Sequence, residues 1–157
     1  MKAHWSMAGT LAFALVVPSI VAAGSAAGPA SPQDVSVLAP IDAMFRGMTE
    51  RDPAVIKAAA LPGTVLVLMR DGKPVQMTIE AFADRVSRPG TTRNEERIHD
   101  PLVRVDRDLA MVWAPFELLV DGKPDHCGTD LFNLIHTGGK WLIAGIADTG
   151  SKLCATR

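Results

Sequence analysis

The sequence predicts an α+β fold in which helices lead into an antiparallel meander, and three observations predict it. Four strand-like runs fill the second half of the chain: Leu102–Asp106, Leu109–Val120, His126–His136 and Lys140–Asp148. The segments between them are Asp106-Arg107-Asp108, Asp121-Gly122-Lys123-Pro124 and Thr137-Gly138-Gly139. Asp-Gly and Gly-Gly between apolar runs signal hairpins, because glycine reaches positive φ without steric cost. Connections this short force each strand to run antiparallel to its predecessor. Ahead of them, apolar residues recur at three- and four-residue spacing, which is the period of a helix.

The chain opens with Lys2, then an uncharged run from Met7 to Val17, then Pro18 and small residues ending in Val21-Ala22-Ala23 and Ser25-Ala26-Ala27. A positive start, a short apolar centre and a small-residue end have the form of a secretory signal peptide, assigned to residues 1–27. Residues 28–33 read as a flexible leader. Asp34 caps a helix that runs to Glu50, with Val37, Leu38, Ile41, Met44, Phe45 and Met48 on one stripe and Pro40 in its first turns. Asp52-Pro53 suits the cap and first position of a second helix through Ala60. Thr64–Arg70, apolar and β-branched, reads as a strand covered on both faces. Asp71-Gly72-Lys73-Pro74 turns it back into Val75–Thr78, and a third helix follows over Glu80–Ser87. Arg88–Asn94 is a loop, and Glu95–Pro101 carries the chain into the meander. Asp-Gly-Lys-Pro occurs twice, at Asp71 and Asp121, as one turn chemistry used twice.

A chain of 157 residues, 48% hydrophobic and 21% charged, has the length and composition of one folded domain. A net charge of -1 with no basic cluster gives no footprint for nucleic acid, and none for a membrane surface once the signal is cleaved. His126 and Cys127 are strand neighbours pointing to opposite faces, and no Cys-x-x-Cys or His-x-x-x-His occurs, so no metal site is expected. Thr137-Gly138-Gly139 precedes no helix, so no phosphate loop and no cofactor are implied. The two cysteines, Cys127 and Cys154, suit a disulfide in an oxidising compartment. Counting back through the Thr137–Gly139 turn sets Cys127 opposite the Gly150 region, where a short curl of the tail brings Cys154 near. Two unrelated thiols are the alternative.

If both later turns are tight and no bulge intervenes, Met111, Trp113, Pro115, Glu117, His126, Asp130, Phe132, Leu134, Trp141, Ile143 and Ala147 share one face. Asp148 and Ile146 then fall on the other. On the first face Glu117, His126 and Asp130 form a carboxylate–imidazole group beside Trp113 and Phe132. Such a group in an apolar surround is suited to general acid/base chemistry, to orienting a ligand, or to a structural pairing. Trp113, Phe132 and Trp141 are the candidate ligand-binding aromatics, with His99 at the mouth of a cavity or in a solvated loop.

The order helix, helix, hairpin, helix, meander resembles the nuclear transport factor 2-like superfamily, the cystatin-like α+β cone. More narrowly it is similar to exported SnoaL-like and putative lumazine-binding-domain members. The likeness is carried by Leu109–Glu117, Asp121-Gly122-Lys123, His126–Phe132, Gly139–Ile143 and Ala147-Asp148-Thr149. It places that domain over residues 34–150, with 151–157 as a tail. The resemblance implies a strongly curved sheet whose concave side encloses a conical cavity, in the element order ααββαββββ, and a homodimer through the sheet's outer face. One fold hosts many activities, so the chemistry stays open. The first reading is a periplasmic or secreted domain that binds a small hydrophobic or mixed-polarity ligand. The second is a cofactor-independent lyase or isomerase using His126 with Glu117 or Asp130. The third is a non-catalytic dimeric interaction module.

Overall fold

The structure, a computed structural model, describes residues 32–152 and 154. The segment predicted as a signal peptide lies outside the described residues, as does the predicted leader up to Ser31. Helix α1 (Pro32–Glu50) carries Pro40 within it and buries Val37, Ile41, Met44, Phe45 and Met48, the stripe its spacing predicts. Asp52 caps α2 (Pro53–Ala58), its Oδ1 accepting from the amides of Ala54 at 2.9 Å and Val55 at 3.2 Å. Strands β1 (Ala60–Arg70) and β2 (Lys73–Thr78) form a hairpin, and Thr78 caps α3 (Ile79–Val86). Then come β3 (Asn94–Ile98), β4 (Leu102–Asp106), β5 (Leu109–Val120), β6 (Lys123–Thr137) and β7 (Lys140–Ser151).

One curved sheet contains all seven strands in the order β2-β1-β7-β6-β5-β3, with β4 also on β5. The predicted meander is present: β4, β5, β6 and β7 pair antiparallel in turn. The β1–β7 pair is parallel and joins the β1–β2 hairpin to the meander. Strand β3 was not expected as a separate element. Asn-Glu-Glu-Arg-Ile has no apolar pattern, and it is extended because its backbone pairs with the second half of β5, from Phe116 to Val120. The order is therefore ααββαβββββ.

Two bulges correct the sequence-based register. Asp121-Gly122 forms a two-residue turn with both φ positive, so Val120 pairs with Lys123 rather than lying across a four-residue loop. An irregularity between Leu118 and Leu119 then leaves Asp125 as the extra residue on β6 and sets Leu118 opposite His126. The net slip is one residue, and one residue turns every β5 side chain over relative to β6. Val112, Ala114 and Phe116 are consequently buried on the concave face, while Trp113 is 48% exposed on the convex one. A second irregularity, where Ala144 is the extra residue between Leu134↔Ile143 and Asn133↔Gly145, brings Ile146 and Asp148 to the concave face. Ala147 goes to the convex face as a result.

The core lies between the concave face and the helices. Phe45 of α1 meets Phe132 of β6 edge to face at 6.1 Å, with Ile41, Leu66, Leu134 and Ile143 fully buried around them.

Candidate functional site

Toward one end of this interface the packing opens into a cavity of about 390 Å³. Met44 and Met48 of α1, Leu66 and Leu68 of β1, Phe82 and Val86 of α3, Leu118, Phe132 and Ile146 form its apolar wall. Arg70, Asn94, Glu96, His126, Asp130 and Asp148 enter it from four strands, and Arg85 enters from α3. Two other depressions, of about 460 Å³ on the convex face and about 570 Å³ beside Trp141, lie more open to solvent, and neither is lined by a carboxyl group. The carboxyl groups converge on the smaller cavity.

Its geometry follows from the corrected register. Asp130 on β6 lies directly opposite Asp148 on β7, and Asp148 pairs in turn with Leu68 on β1. Arg70 clamps Asp148 in bidentate fashion: Nη2 reaches Oδ2 at 2.7 Å and Nη1 reaches Oδ1 at 2.8 Å. The Met69 amide also donates to Oδ1, at 2.8 Å. Asp130, 3% exposed, has no such clamp, and among the described residues its Oδ2 finds no donor. Glu96, reaching in from β3, is its hydrogen-bonding neighbour.

Between these groups the concave face is bare backbone. Gly128 and Gly150 sit opposite each other on β6 and β7, one inward position along from Asp130 and Asp148. A Cβ on Gly128 would lie 1.6 Å from the Thr149 carbonyl oxygen. A Cβ on Gly150 would lie 2.7 Å from the Met69 carbonyl oxygen and 2.9 Å from Arg70 Nη1. Close approach requires glycine at both positions.

Burial, then the charge and hydrogen bond of Glu96, then the charge of Asp148, push Asp130 up to about 10; Arg70 opposes this. Burial pushes Glu96 up to about 7, with the Asp148 charge adding to it, while the Asp130 hydrogen bond and Arg70 oppose. Two carboxyls sharing a desolvated site cannot both ionise cheaply, so they titrate as a unit and keep one proton between them from about pH 7 upward, well into the alkaline range. Protonated, Asp130 donates to Glu96.

His126 lines the same cavity, its ring edge-to-face with Phe116 at 5.7 Å. Its Nδ1 lies 2.8 Å from Asp125 Oδ2, and Lys152 Nζ lies 2.8 Å from both Asp125 oxygens. The Lys152 and His126 hydrogen bonds hold the Asp125 carboxyl below its ordinary range. This fixes the imidazole so that Nε2 is the nitrogen left for a ligand.

Of the residues predicted from sequence, His126, Asp130 and Phe132 come together here. Glu117 and Trp113 do not: the one-residue slip puts both on the convex face, Glu117 opposite Cys127 and Trp113 opposite Leu131. Trp141 is buried at the far end of the core, its ring 5.1 Å from His136. His99 is exposed at the edge, its amide donating to the Pro115 carbonyl at 2.8 Å. Cys127 and Cys154 are joined, with Cα atoms 5.7 Å apart. The residues that sequence reasoning missed are Glu96, Arg70, Asp148 and Asp125. A signal existed for two of them, because Arg70 ends an apolar strand in phase with Leu66 and Leu68, and Asp148 interrupts an apolar one.

A family model described as putative lumazine-binding matches residues 32–145. The chain belongs to that family. No curated protein matches. Among solved structures, members of the cone-shaped fold recur. One is a nuclear transport factor 2-like protein from Cytophaga hutchinsonii, at 15% identity over 78% of this chain and 100% of that one, with a TM-score of 0.64. Another, described as a putative calcium/calmodulin dependent protein kinase II association domain from Xanthomonas campestris, is 21% identical over 80% and 93%, also at 0.64. A third, of unknown function from Silicibacter pomeroyi, is 17% identical over 76% and 96%, at 0.61. At these identities the neighbours of this lumazine-binding-family chain establish its fold alone.

Proposed function

We propose that this chain is an exported small-molecule-binding domain whose ligand sits between the helices and the concave face of the sheet. One observation carries the reading: a space of about 390 Å³ with a mostly apolar wall and a few polar groups converging from four strands. The wall supplies affinity by burial, and the polar groups supply orientation. The family description makes lumazine, a flat bicyclic heterocycle, the first ligand to try. Export is supported by the charge and hydropathy pattern of residues 1–27 and by the Cys127–Cys154 bridge. Among the described residues no helix is long and apolar enough to cross a membrane. Thermal unfolding with lumazine and a panel of apolar small molecules tests the reading, because a binder raises the transition temperature by linkage. Leu118→Trp, which fills the cavity, is expected to abolish the rise. No rise with any compound, together with a ligand-free native mass spectrum, would sink it.

A second reading, a cofactor-independent lyase or isomerase, is favoured by the shared proton of Asp130 and Glu96 facing His126. General acid/base work needs groups whose protonation is poised near neutral pH. It differs from simple binding by turnover of the bound compound that Asp130→Asn removes, read as a mass change for a lyase and as a chromatographic shift at constant mass for an isomerase. We further propose that two copies pair through the convex face, which carries an apolar row with Leu102 and Trp113 exposed in it. A purely structural module would have no use for the cavity.

A further inference from the structure

The small-molecule reading leaves open what the polar end of the ligand is, and the cavity wall speaks to that. Asp148 is already neutralised by the two-pronged Arg70 contact and by the Met69 amide. Asp130 is different. It is 3% exposed, it lines the cavity, and its Oδ2 has no donor. A buried carboxylate oxygen without a partner is expensive, and folded proteins ordinarily satisfy one. Among the described residues nothing supplies a donor to Asp130 except the proton it shares with Glu96. That proton occupies a position which a charged N–H group of a ligand would fill better, because it would satisfy both carboxyls at once.

We propose that the cavity takes an apolar ligand with a cationic, hydrogen-bond-donating head, of the guanidinium, amidinium or ammonium class, seated on Asp130 and Glu96. The inference rests on the binding-domain reading above. The charges around Asp130 support it from every side. Glu96 faces it from β3, Asp148 and Arg70 cancel each other on β7 and β1, and His126 on β6 is held by Asp125. Arg85 of α3 lines the cavity but is exposed, so solvent screens it. The remaining elements, α1, β2 and β5, contribute only uncharged side chains. With one proton on the carboxyl pair, the unneutralised charge inside the cavity is negative. A monocation removes it, and an anion would add to it.

Displacing the shared proton makes binding pH-linked. A cation that stays charged should bind more tightly as pH rises, by up to about tenfold per pH unit where one proton is released per ligand. A neutral isostere should show no such rise.

The test uses three probes of similar shape on the full, oxidised protein: phenethylguanidinium, phenethylurea and hydrocinnamate. Calorimetry from about pH 6 to pH 9, in buffers of differing ionisation enthalpy, reads affinity and proton release together. The proposal expects the guanidinium to bind at least about tenfold more tightly than the urea at the upper end, with proton release, and the carboxylate to bind weakest. Asp130→Asn should bring guanidinium and urea to within about threefold, and Glu96→Gln should do the same by an independent substitution. Equal or tighter binding of the urea would overturn the cationic head while leaving the cavity reading intact. Tightest binding of the carboxylate would make Arg70 and Arg85 the determinants and overturn it as well. If none of the three binds, this inference fails, while the binding-domain reading is decided separately by the lumazine and apolar panel and the native mass spectrum.

Discussion

Asp130 ionises at an ordinary 3.8 when unfolded and at about 10 when folded; Glu96 moves from 4.5 to about 7. Both acids are raised by folding, so the native state binds more protons than the unfolded one across the intervening range. Stability therefore falls as pH rises, fully present below about pH 4 and lost progressively toward the folded-state values. The carboxyl pair thus opposes the usual acid denaturation. Asp130→Asn should raise the unfolding temperature at pH 8.5 by about 4–8 °C, equivalent to about 2 kcal/mol, and change it little at pH 5. A uniform shift at both pH values, or a loss at pH 8.5, would contradict the shared proton. Arg70 acts on the same group from the other side. Arg70→Met strands a carboxylate whose side chain is 6% exposed. The expected loss is about 2 kcal/mol at pH 8, below the full cost of breaking a buried pair because the guanidinium itself is 38% exposed. Urea titration at pH 8 checks it.

At the scale of the strand, the site exists because β6 and β7 pass each other without side chains at Gly128 and Gly150. Gly128→Ala would drive a methyl group to 1.6 Å from the Thr149 carbonyl oxygen, with backbone rather than a flexible side chain in the way. A loss of at least about 3 kcal/mol is expected, or failure to fold. Gly145→Ala is the contrast, its nearest neighbour being Asn133 Nδ2 at 3.6 Å. That change should stay within about 1 kcal/mol of neutral and is free to stabilise, since alanine has less unfolded-state entropy to lose. Denaturant midpoints for the two variants decide between close backbone approach and a general intolerance of substitution in these strands. The same strands show why only part of the site was legible in the sequence. Apolar runs and Asp-Gly turns locate the elements, because local periodicity and turn chemistry suffice for that. Facing is set by where one extra residue is absorbed, and neither Asp125 nor Ala144 carries a local mark of being that residue. His126, Asp130 and Phe132 were found because they share a strand, so no register enters. Glu117 and Trp113 were misplaced because theirs depended on the turn. Glu96 was invisible for a further reason: β3 is a strand by backbone pairing, not by pattern.

For the molecule as a whole, the slip that removed Trp113 from the cavity placed it in another arrangement. Leu102, Trp113, Leu131, Ala147 and Val67 are successive cross-strand partners on β4, β5, β6, β7 and β1, forming one apolar row across the convex face. Trp113 is 48% exposed and Leu102 42%. Leu131, Ala147 and Val67 are half-buried, and a contiguous apolar row with a tryptophan exposed in it marks an interaction surface more often than scattered apolar residues do. A second copy turned by a two-fold axis would lay the same row against itself, burying both tryptophans at once. The cavity opens on the other side of the sheet, so pairing and ligand uptake should be separable. Light scattering at micromolar concentration is therefore expected to give twice the chain mass for the wild type and the chain mass for Trp113→Glu. The variant should keep its circular dichroism spectrum and its ligand-induced rise in unfolding temperature, because a half-exposed convex residue contributes little to the core. A monomeric wild type, or a dimer that survives the charge, would leave the apolar row without the role argued for it.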